Sequence, residues 1–128
     1  MRISVSIAHI ELDEYGFCRI TFDTKKNDTL DVVSAEEVVE AVHLLCSGMP
    51  HPIMVDSRGA SGLVTPKARE FFKSSPKMIE AKKAEAFIVN TLANKVLVNL
   101  YLKMAKPTVS TRIFANEEDA VEWLKKFL

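Results

Sequence analysis

The stretch VDSRGASGLVTPKAREFF, residues 55–72, contains the clearest fold signal of the chain. It starts at the end of the apolar run 53–55, which has the length and composition of a buried strand. Asp56 and a turn with two glycines follow, and the chain then reaches Thr65 and Pro66. Threonine caps the start of a helix well, and proline is tolerated at the first helical position. The stretch therefore predicts a strand, a loop and a helix, which together form the repeating unit of an α/β sheet.

The same order of elements continues towards the C-terminus. Residues 84–89 have the pattern of an apolar strand, and a helical pattern runs from Thr91 to about Met104. A last strand at 112–114 precedes a helix that begins after Asn116, a favourable capping residue. Strands that alternate with helices imply right-handed crossovers and a sheet that is at least partly parallel.

A hairpin is predicted before this repeat. Apolar and polar residues alternate through 3–12, which indicates one long strand or a strand with a bulge. A turn at 13–16 leads into 17–22, the predicted return strand. Residues 29–33 are interpreted as a short edge strand.

A helix is predicted to follow, because Ser34 and Glu37 have the spacing of a capping box and Gly48 is a typical helix end. We therefore predict a single α/β domain over residues 1–128. Its mixed sheet consists of an N-terminal β-hairpin followed by βαβαβα, with helices packed on the sheet.

The composition bounds the class of protein. The 128 residues include 17 basic and 17 acidic side chains, so no net positive field favours nucleic acid, and no nucleic-acid partner is expected. The N-terminus lacks the continuous apolar segment of a signal peptide. The most apolar window, 92–104, contains two lysines and two asparagines and is too short to cross a bilayer. We expect a cytoplasmic protein without a transmembrane segment.

The reactive side chains do not have the spacing of a known catalytic or metal-binding motif. Cys18 and Cys46 fall on apolar strand and helix positions, so packing explains them better than a disulfide or a metal pair. No histidine spacing is typical of a metal site. Ser57 and Ser61 lie near Asp56, but the surrounding sequence is not a GxSxG elbow. We therefore expect no enzymatic activity, no metal and no cofactor.

Two blocks carry a resemblance to a known family. They are PIMVDSRG with the Thr65-Pro66 helix start, and KPTVSTRIFANEEDAVEWL near the C-terminus. With the order of elements, they resemble the STAS-like family of small bacterial proteins, which is similar to the sporulation anti-anti-sigma factor SpoIIAA and is also described as STAS/SEC14. The resemblance covers nearly the whole chain and implies a SpoIIAA-like fold.

The resemblance also implies a modification site. In anti-anti-sigma proteins of this type, a serine at the start of the helix after the third strand is phosphorylated, and it usually follows an aspartate. The matching position here is Thr65, which follows Val64, so the acidic neighbour is missing. A helix cap explains Thr65 without any kinase.

The loop after residue 55 is a candidate anion or phospho-acceptor site, because helix N-termini attract anions and glycine permits close backbone approach. The alternative is an ordinary connection in which Asp56 and Arg58 pair locally. The candidate residues share this loop and the helix start that follows it: Asp56, Arg58, Gly59, Ser61, Thr65 and Lys67.

The helix over 91–104 has more apolar surface than one sheet face requires. Its buried stripe is predicted to contain Leu92, Val96 and Met104, among others. The remaining apolar side chains predict a homodimer contact. That contact is assigned to Val98, Tyr101 and Leu102.

The resemblance favours a non-catalytic regulatory or protein-interaction module with an unidentified protein partner. The alternative is a small-ligand or lipid-binding, SEC14-like module. That alternative requires a cavity between the sheet and the helices, lined by residues such as Phe71, Phe72, Met78 and Ile79.

Overall fold

The structure is a computed structural model that describes residues 1–24, 29–60 and 62–128. Within these ranges the strands are β1 (Arg2–Ser4), β2 (Ala8–Leu12), β3 (Cys18–Asp23), β4 (His51–Gly59), β5 (Lys82–Ile88) and β6 (Ser110–Phe114). The helices are α1 (Val32–Cys46), α2 (Pro66–Ser74), α3 (Pro76–Ala81), α4 (Leu92–Ala105) and α5 (Glu117–Leu124), followed by a 3-10 turn at Lys125–Phe127.

The strands form one mixed sheet in the order β1-β2-β3-β4-β5-β6. The pairs β1–β2 and β2–β3 are antiparallel, whereas the pairs β3–β4, β4–β5 and β5–β6 are parallel. The predicted strands at 53–55, 84–89 and 112–114 are therefore adjacent in this sheet. The α/β class, the mixed sheet and the hairpin before the repeat are confirmed.

The N-terminal strand differs from the prediction, because residues 3–12 form two antiparallel strands. The chain reverses between β1 and β2, where the backbone N–H of Val5 donates to the carbonyl oxygen of Ala8 at 2.9 Å. The apolar positions are odd-numbered up to Ile7 and even-numbered from Ile10 onward. A single strand keeps its apolar residues on one parity, so this change marks the turn.

The start of α1 and the segment before it also differ. Asp31, rather than Ser34, caps the helix, since its Oδ1 accepts a hydrogen bond from the backbone N–H of Ser34 at 2.9 Å. The predicted edge strand at 29–33 is reduced to a single bridge between Leu30 and Val64. Helix α3 was not predicted, because six residues are too few to show a helical period.

Helices cover both faces of the sheet. The larger core lies under α1 to α4, and Val38, Val42 and Ile53 are fully buried in it. The smaller core lies under α5 on the opposite face, where Met54 and Leu124 are fully buried. Because successive strand residues point to opposite faces, neighbouring residues of β4 serve different cores.

The orientation of α4 reverses the sequence prediction. Leu92, Val96 and Met104 are exposed, whereas Val98 is buried and Tyr101 and Leu102 pack against the larger core. The residues assigned to a dimer contact therefore lie on the inward side of α4, where Val98 is buried and Tyr101 and Leu102 are partly buried against the core of their own chain. Two apolar stripes overlap on this helix, and periodicity alone does not select between them.

Cys18 and Cys46 are free and buried in the larger core, as predicted. The structure adds that the two thiols are neighbours, since a hydrogen bond with Cys46, followed by burial, raises the pKa of Cys18. Across residues 1–24, 29–60 and 62–128, no helix combines the length and the apolar character needed to cross a bilayer.

Candidate functional site

The last residues of β4, which the sequence pattern assigned to a loop, belong to the strand and are divided between the two faces of the sheet. Asp56 and Arg58 point towards α5, and Ser57 points towards the helices on the other face. Arg58 donates two side-chain hydrogen bonds to Asp56, from Nε to Oδ1 at 2.9 Å and from Nη2 to Oδ2 at 2.7 Å. The local pairing that the sequence offered as an alternative is present.

Two further residues complete an ionic cluster that the sequence reading missed. Arg19 of β3 donates from Nη2 to Oδ2 of Asp56 at 3.2 Å and contacts Oε1 of Glu117 at 2.6 Å. Glu117 also lies 3.8 Å from Arg58. Two cations and two carboxylates therefore meet where β3, β4 and the start of α5 converge, and their charges cancel.

The environment of Asp56 stabilises its ionised form. Its side chain is only 8% exposed, and burial by itself raises a carboxyl pKa. Hydrogen bonds from Arg58, with the positive charges of Arg58 and Arg19, outweigh burial and lower the pKa of Asp56. Asp56 is consequently a buried structural anion and a poor proton carrier at neutral pH.

Gly59 lies at the end of β4, where the pairing with β3 shifts register. A Cβ atom at this position would lie 2.4 Å from the carbonyl oxygen of Phe22. The glycine therefore permits two backbones to approach each other closely, rather than opening a loop to an anion.

Thr65 begins α2 on the face opposite Asp56. Its Oγ1 accepts a hydrogen bond from the backbone N–H of Ala68 at 3.1 Å, and Pro66 occupies the first helical position, as predicted. Lys67 is exposed in the first turn, and Ser61 lies outside the described residues. The structure thus does not bring Asp56 and Arg58 together with Thr65 and Lys67 in one site.

We expect Thr65→Ala to lower the free energy of unfolding by about 1 kcal/mol, because one backbone N–H of α2 loses its acceptor. Thr65→Ser keeps a hydroxyl acceptor and is the matched control, expected to lie within about 0.5 kcal/mol of the wild type. Urea denaturation followed by circular dichroism measures both. Equal stability of the alanine variant and the wild type would contradict the capping role.

A cavity of about 110 Å³ lies on the face opposite the ionic cluster, between the sheet and α1 to α4. Most of its lining is apolar and comes from three strands and the covering helices: Ile20, Phe22, Leu30, Val38, Val55, Val64, Phe72, Met78, Phe87, Leu97 and Val98. Of the four lining residues that the sequence suggested, Phe72 and Met78 are present. Phe71 and Ile79 do not line this cavity, and Ile79 is exposed.

The cavity has two polar clusters. The first consists of Ser57 and Asn94 and lies at the carboxyl end of β4. The Ser57 hydroxyl donates to the carbonyl oxygen of Ile88 at 2.6 Å. The side-chain amide of Asn94 donates from Nδ2 to the carbonyl oxygen of Ser57 at 2.7 Å and accepts from the backbone N–H of Asn90 at 3.2 Å. Both side chains are engaged with backbone, so they fix the position of α4 against the sheet.

The second polar cluster contains Lys82 and Glu85 and lies at the opposite end of the cavity, where β5 begins. Lys82 and Glu85 form an ion pair with Nζ and Oε1 3.0 Å apart, and their side chains are 16% and 7% exposed. Residues three apart in a regular strand point to opposite faces. The register shift between His51 and Pro52 leaves Lys83 as an extra residue of β5, and this bulge places Lys82 and Glu85 on the same face.

Tyr101 of α4 lines the cavity beside this ion pair. Burial, and then the negative charge of Glu85, raises the pKa of the Tyr101 hydroxyl, which is therefore a neutral hydrogen-bond donor. In the part of the chain that the structure describes, no protein group is hydrogen-bonded to this hydroxyl, which keeps some accessible surface. A cleft of about 40 Å³ shares Lys82, Glu85 and Tyr101 and is bordered by residues 106–109.

The two polar clusters, at Ser57 and at Glu85, lie far apart along the cavity. Glu85 pairs with Ile53 in the sheet, and Ser57 lies four residues further along β4. At about 3.3 Å per residue, the two ends are about 13 Å apart. Sequence reasoning missed the charged end, although a glutamate within the apolar run AEAFIV was a signal for a buried carboxylate.

The described ranges contain no group of three or more His, Cys, Asp and Glu side chains that is arranged to hold a metal ion. The cavity, rather than the end of β4, combines an apolar space with polar side chains at its two ends, as small-molecule sites do.

The fold is similar to that of solved structures. An uncharacterised protein of the DUF3478 family from Shewanella loihica PV-4, described as having a SpoIIAA-like fold, aligns with a TM-score of 0.62 and 15% identity over 95% of this chain and 98% of that chain. A protein of unknown function from Arthrobacter sp. FB24 shares 22% identity over 90% of each chain, with a TM-score of 0.33, too low to bear on the fold.

The first of these alignments confirms the predicted SpoIIAA-like fold. No curated protein matches the sequence. Residues 20–128 match the family model described as Domain of unknown function (DUF7793), and the chain belongs to that family.

Proposed function

We propose that this protein is a non-catalytic, STAS-like module whose regulatory or interaction role depends on a small apolar molecule held between the sheet and α1 to α4. The observation that carries the proposal is the cavity of about 110 Å³ inside the larger core. Ligand sites of small proteins are typically concave and apolar, with few polar groups.

The free energy that an unfilled cavity costs is an argument for a bound ligand. Protein cores are close-packed, and an empty cavity destabilises a fold by about 24 cal/mol per Å³. The cavity of 110 Å³ is partly open to solvent, so its cost lies below the roughly 2–3 kcal/mol that an enclosed cavity of this volume would carry. A ligand that restores the missing contacts would return part of this stability.

The size of the cavity favours a small molecule over a lipid. An apolar cavity of about 150 Å³ accommodates benzene. A cavity of 110 Å³ is of the same order, so it suits a single aromatic ring or a short aliphatic chain. A long-chain lipid, the other form of the ligand-binding alternative, would require the helices to move apart.

The polar side chains around the cavity favour binding over catalysis. The Ser57 hydroxyl is a donor to the backbone of Ile88, so its proton is already engaged. Asn94 is likewise committed to backbone partners. A nucleophile would need a base beside it, and Ser57 has a carbonyl acceptor in that position.

The test is a thermal-shift titration with toluene, using a variant that fills the cavity. Val98→Phe adds a ring to a side chain that lines the cavity, and Val96→Phe places the same ring on the exposed face of α4. We expect toluene at ten times its Kd to stabilise the wild type and Val96→Phe by about 1.4 kcal/mol. We expect no stabilisation of Val98→Phe.

A nuclear magnetic resonance measurement on the wild type complements the variants. Toluene is expected to shift the methyl signals of Val55 and Val98 in the larger core and to leave those of Val121 and Leu124 in the smaller core unchanged. Shifts confined to the smaller core, or no binding of toluene to the wild type, would overturn the proposed function.

The exposed face of α4 supports a second proposal, which concerns assembly. Leu92, Val96, Leu100 and Met104 follow one another at four-residue spacing and are all exposed. We propose that this stripe packs against a second copy, which keeps the predicted homodimer but moves its contact to the other side of the helix.

Light scattering at micromolar protein concentration tests this assembly. The wild type is expected to have the mass of a dimer, and Val96→Glu combined with Leu100→Glu is expected to give a monomer. A monomeric wild type would contradict the homodimer. The charged pair changes only exposed positions, so an unchanged circular dichroism spectrum serves as the control for folding.

A further inference from the structure

The charged end of the cavity carries no net charge. Lys82 and Glu85 neutralise each other at 3.0 Å, and both are largely buried. Arg69, the other charged residue that acts on the Tyr101 hydroxyl, does not line the cavity. The remaining lining is apolar apart from hydroxyl and amide groups that are neutral.

A charged ligand does not suit such a lining. A carboxylate placed beside Lys82 would also approach Glu85 and would leave one uncompensated negative charge in an apolar space. An ammonium group beside Glu85 would leave one uncompensated positive charge for the corresponding reason. Burying an unpaired charge is far more costly than burying a neutral polar group.

The hydrogen-bonding groups at this end define what a neutral ligand needs. The Tyr101 hydroxyl is a donor without a partner, and Oε2 of Glu85 is an acceptor without a hydrogen-bond donor, within the part of the chain that is described. A hydroxyl group on the ligand can accept from the first and donate to the second. A ligand group that can only donate or only accept a hydrogen bond would satisfy only one of Tyr101 and Glu85.

We infer that the cavity binds a neutral molecule about the size of one aromatic ring that carries a hydroxyl group, a phenol or a small alcohol, with the hydroxyl between Tyr101 and Glu85. This inference rests on the proposed function and names the chemical class of its ligand. The apolar body of the molecule then extends towards Val98 and Val55, along the cavity.

The experiment compares four ring-sized probes by isothermal titration calorimetry at pH 7: phenol, toluene, benzoate and benzylammonium. Phenol titrates near pH 10, so it is neutral under these conditions. We expect phenol to bind about five to ten times more tightly than toluene, which corresponds to one or two hydrogen bonds. We expect benzoate and benzylammonium to bind at least tenfold more weakly than phenol.

Tyr101→Phe identifies the hydroxyl that recognises the ligand. It keeps the ring that packs against Phe87 at a centroid distance of 6.4 Å, so the fold is expected to be retained. The affinity for phenol is expected to fall about five- to tenfold, whereas the affinity for toluene is expected to stay within twofold. A phenol affinity that is the same in Tyr101→Phe and the wild type would overturn the inference.

Glu85→Gln is a second test variant, and its expected effect is tighter binding of benzoate. It leaves the charge of Lys82 uncompensated, so benzoate is expected to bind at least tenfold more tightly than it does to the wild type. If Glu85→Gln does not fold, the comparison of phenol with benzoate on the wild type decides the question. Benzoate or benzylammonium binding as tightly as phenol would overturn the inference.

The outcomes separate this inference from the proposed function. If none of the four probes binds the wild type, the proposed function fails, and the inference fails with it. If toluene binds in the cavity but phenol binds no more tightly than toluene, the proposed function stands and only the hydroxyl-bearing class of ligand is excluded.

Discussion

Asp56→Asn is expected to lower the free energy of unfolding by about 3 kcal/mol at neutral pH, the low end of the range for breaking a buried ion pair. The substitution keeps the shape of the side chain and removes the negative charge that lies between Arg19 and Arg58. Arg19 is only 20% exposed, so its charge has little access to water, and in the variant Arg19 and Arg58 share Glu117 as their remaining carboxylate in the cluster. Urea denaturation at pH 7 measures the difference.

The same variant predicts a dependence on pH. The pKa of Asp56 is lower in the folded chain than its ordinary value, so its ionisation stabilises the fold fully above the unfolded pKa of about 3.9. That stabilisation is lost as the pH falls towards and through the lower folded pKa. The stability difference between wild type and Asp56→Asn should therefore be constant between about pH 5 and 7 and should shrink below about pH 4.

Glu117→Gln is the matched control. Glu117 also contacts Arg19, but its side chain is 41% exposed, so water replaces much of what the substitution removes. We expect its loss of stability to stay below about 1 kcal/mol. An Asp56→Asn variant no less stable than Glu117→Gln would show that the cluster does not hold β3 and β4 together.

Gly59→Ala is expected to destabilise the fold by about 2–3 kcal/mol. The added Cβ would lie 2.4 Å from the carbonyl oxygen of Phe22, a backbone atom that cannot move aside as a flexible side chain can. The hydrogen bond from the N–H of Thr24 to the carbonyl oxygen of Gly59 at 3.1 Å lies beside this contact. Faster amide hydrogen exchange at Thr24 is therefore expected along with the loss of global stability.

Gly48→Ala is the control that distinguishes a steric clash from the cost of a left-handed backbone conformation. Gly48 has φ +71°, a left-handed conformation, but a Cβ there would meet only Oε1 of Glu80 at 3.8 Å. We expect this variant to lose about 1 kcal/mol, the cost of the conformation without a clash. If Gly59→Ala were less destabilising than Gly48→Ala, the close approach of β3 and β4 would not be the reason for the glycine.

The elements that the sequence predicted well are those whose signal is local. The cap at Thr65 followed by Pro66 and the cap at Asn116 are properties of a few consecutive residues, and both are present in the structure. The buried strands also carry their own signal, because a short apolar run between turns has few alternative structures. Capping of α1 was the exception, since Asp31 and Ser34 both have side chains that cap helices.

The candidate site depended on contacts that no local pattern contains. Arg19 and Asp56 are 37 positions apart in the sequence and meet only because β3 and β4 are parallel neighbours. The loop residues that looked like one site separate because alternate strand residues face opposite sides of the sheet.

The rotation of α4 shows the same limit. Its two apolar stripes have nearly the same periodicity, and the buried stripe is the one on the same side as Asn94, whose side chain donates to the backbone of Ser57. A helical pattern defines a face without stating which of two overlapping faces meets the sheet.

The α/β class, the alternation of β4, α2, β5, α4, β6 and α5, and the caps that start α2 and α5 could be predicted from the chain alone, because they follow from the period of apolar residues and from short-range hydrogen bonding. Tertiary packing was needed to split residues 3–12 into two strands, to select the buried face of α4, to place Lys82 beside Glu85 through the bulge at Lys83 and to leave a cavity above them. These features depend on how distant elements pack, and packing leaves no periodic trace in the chain.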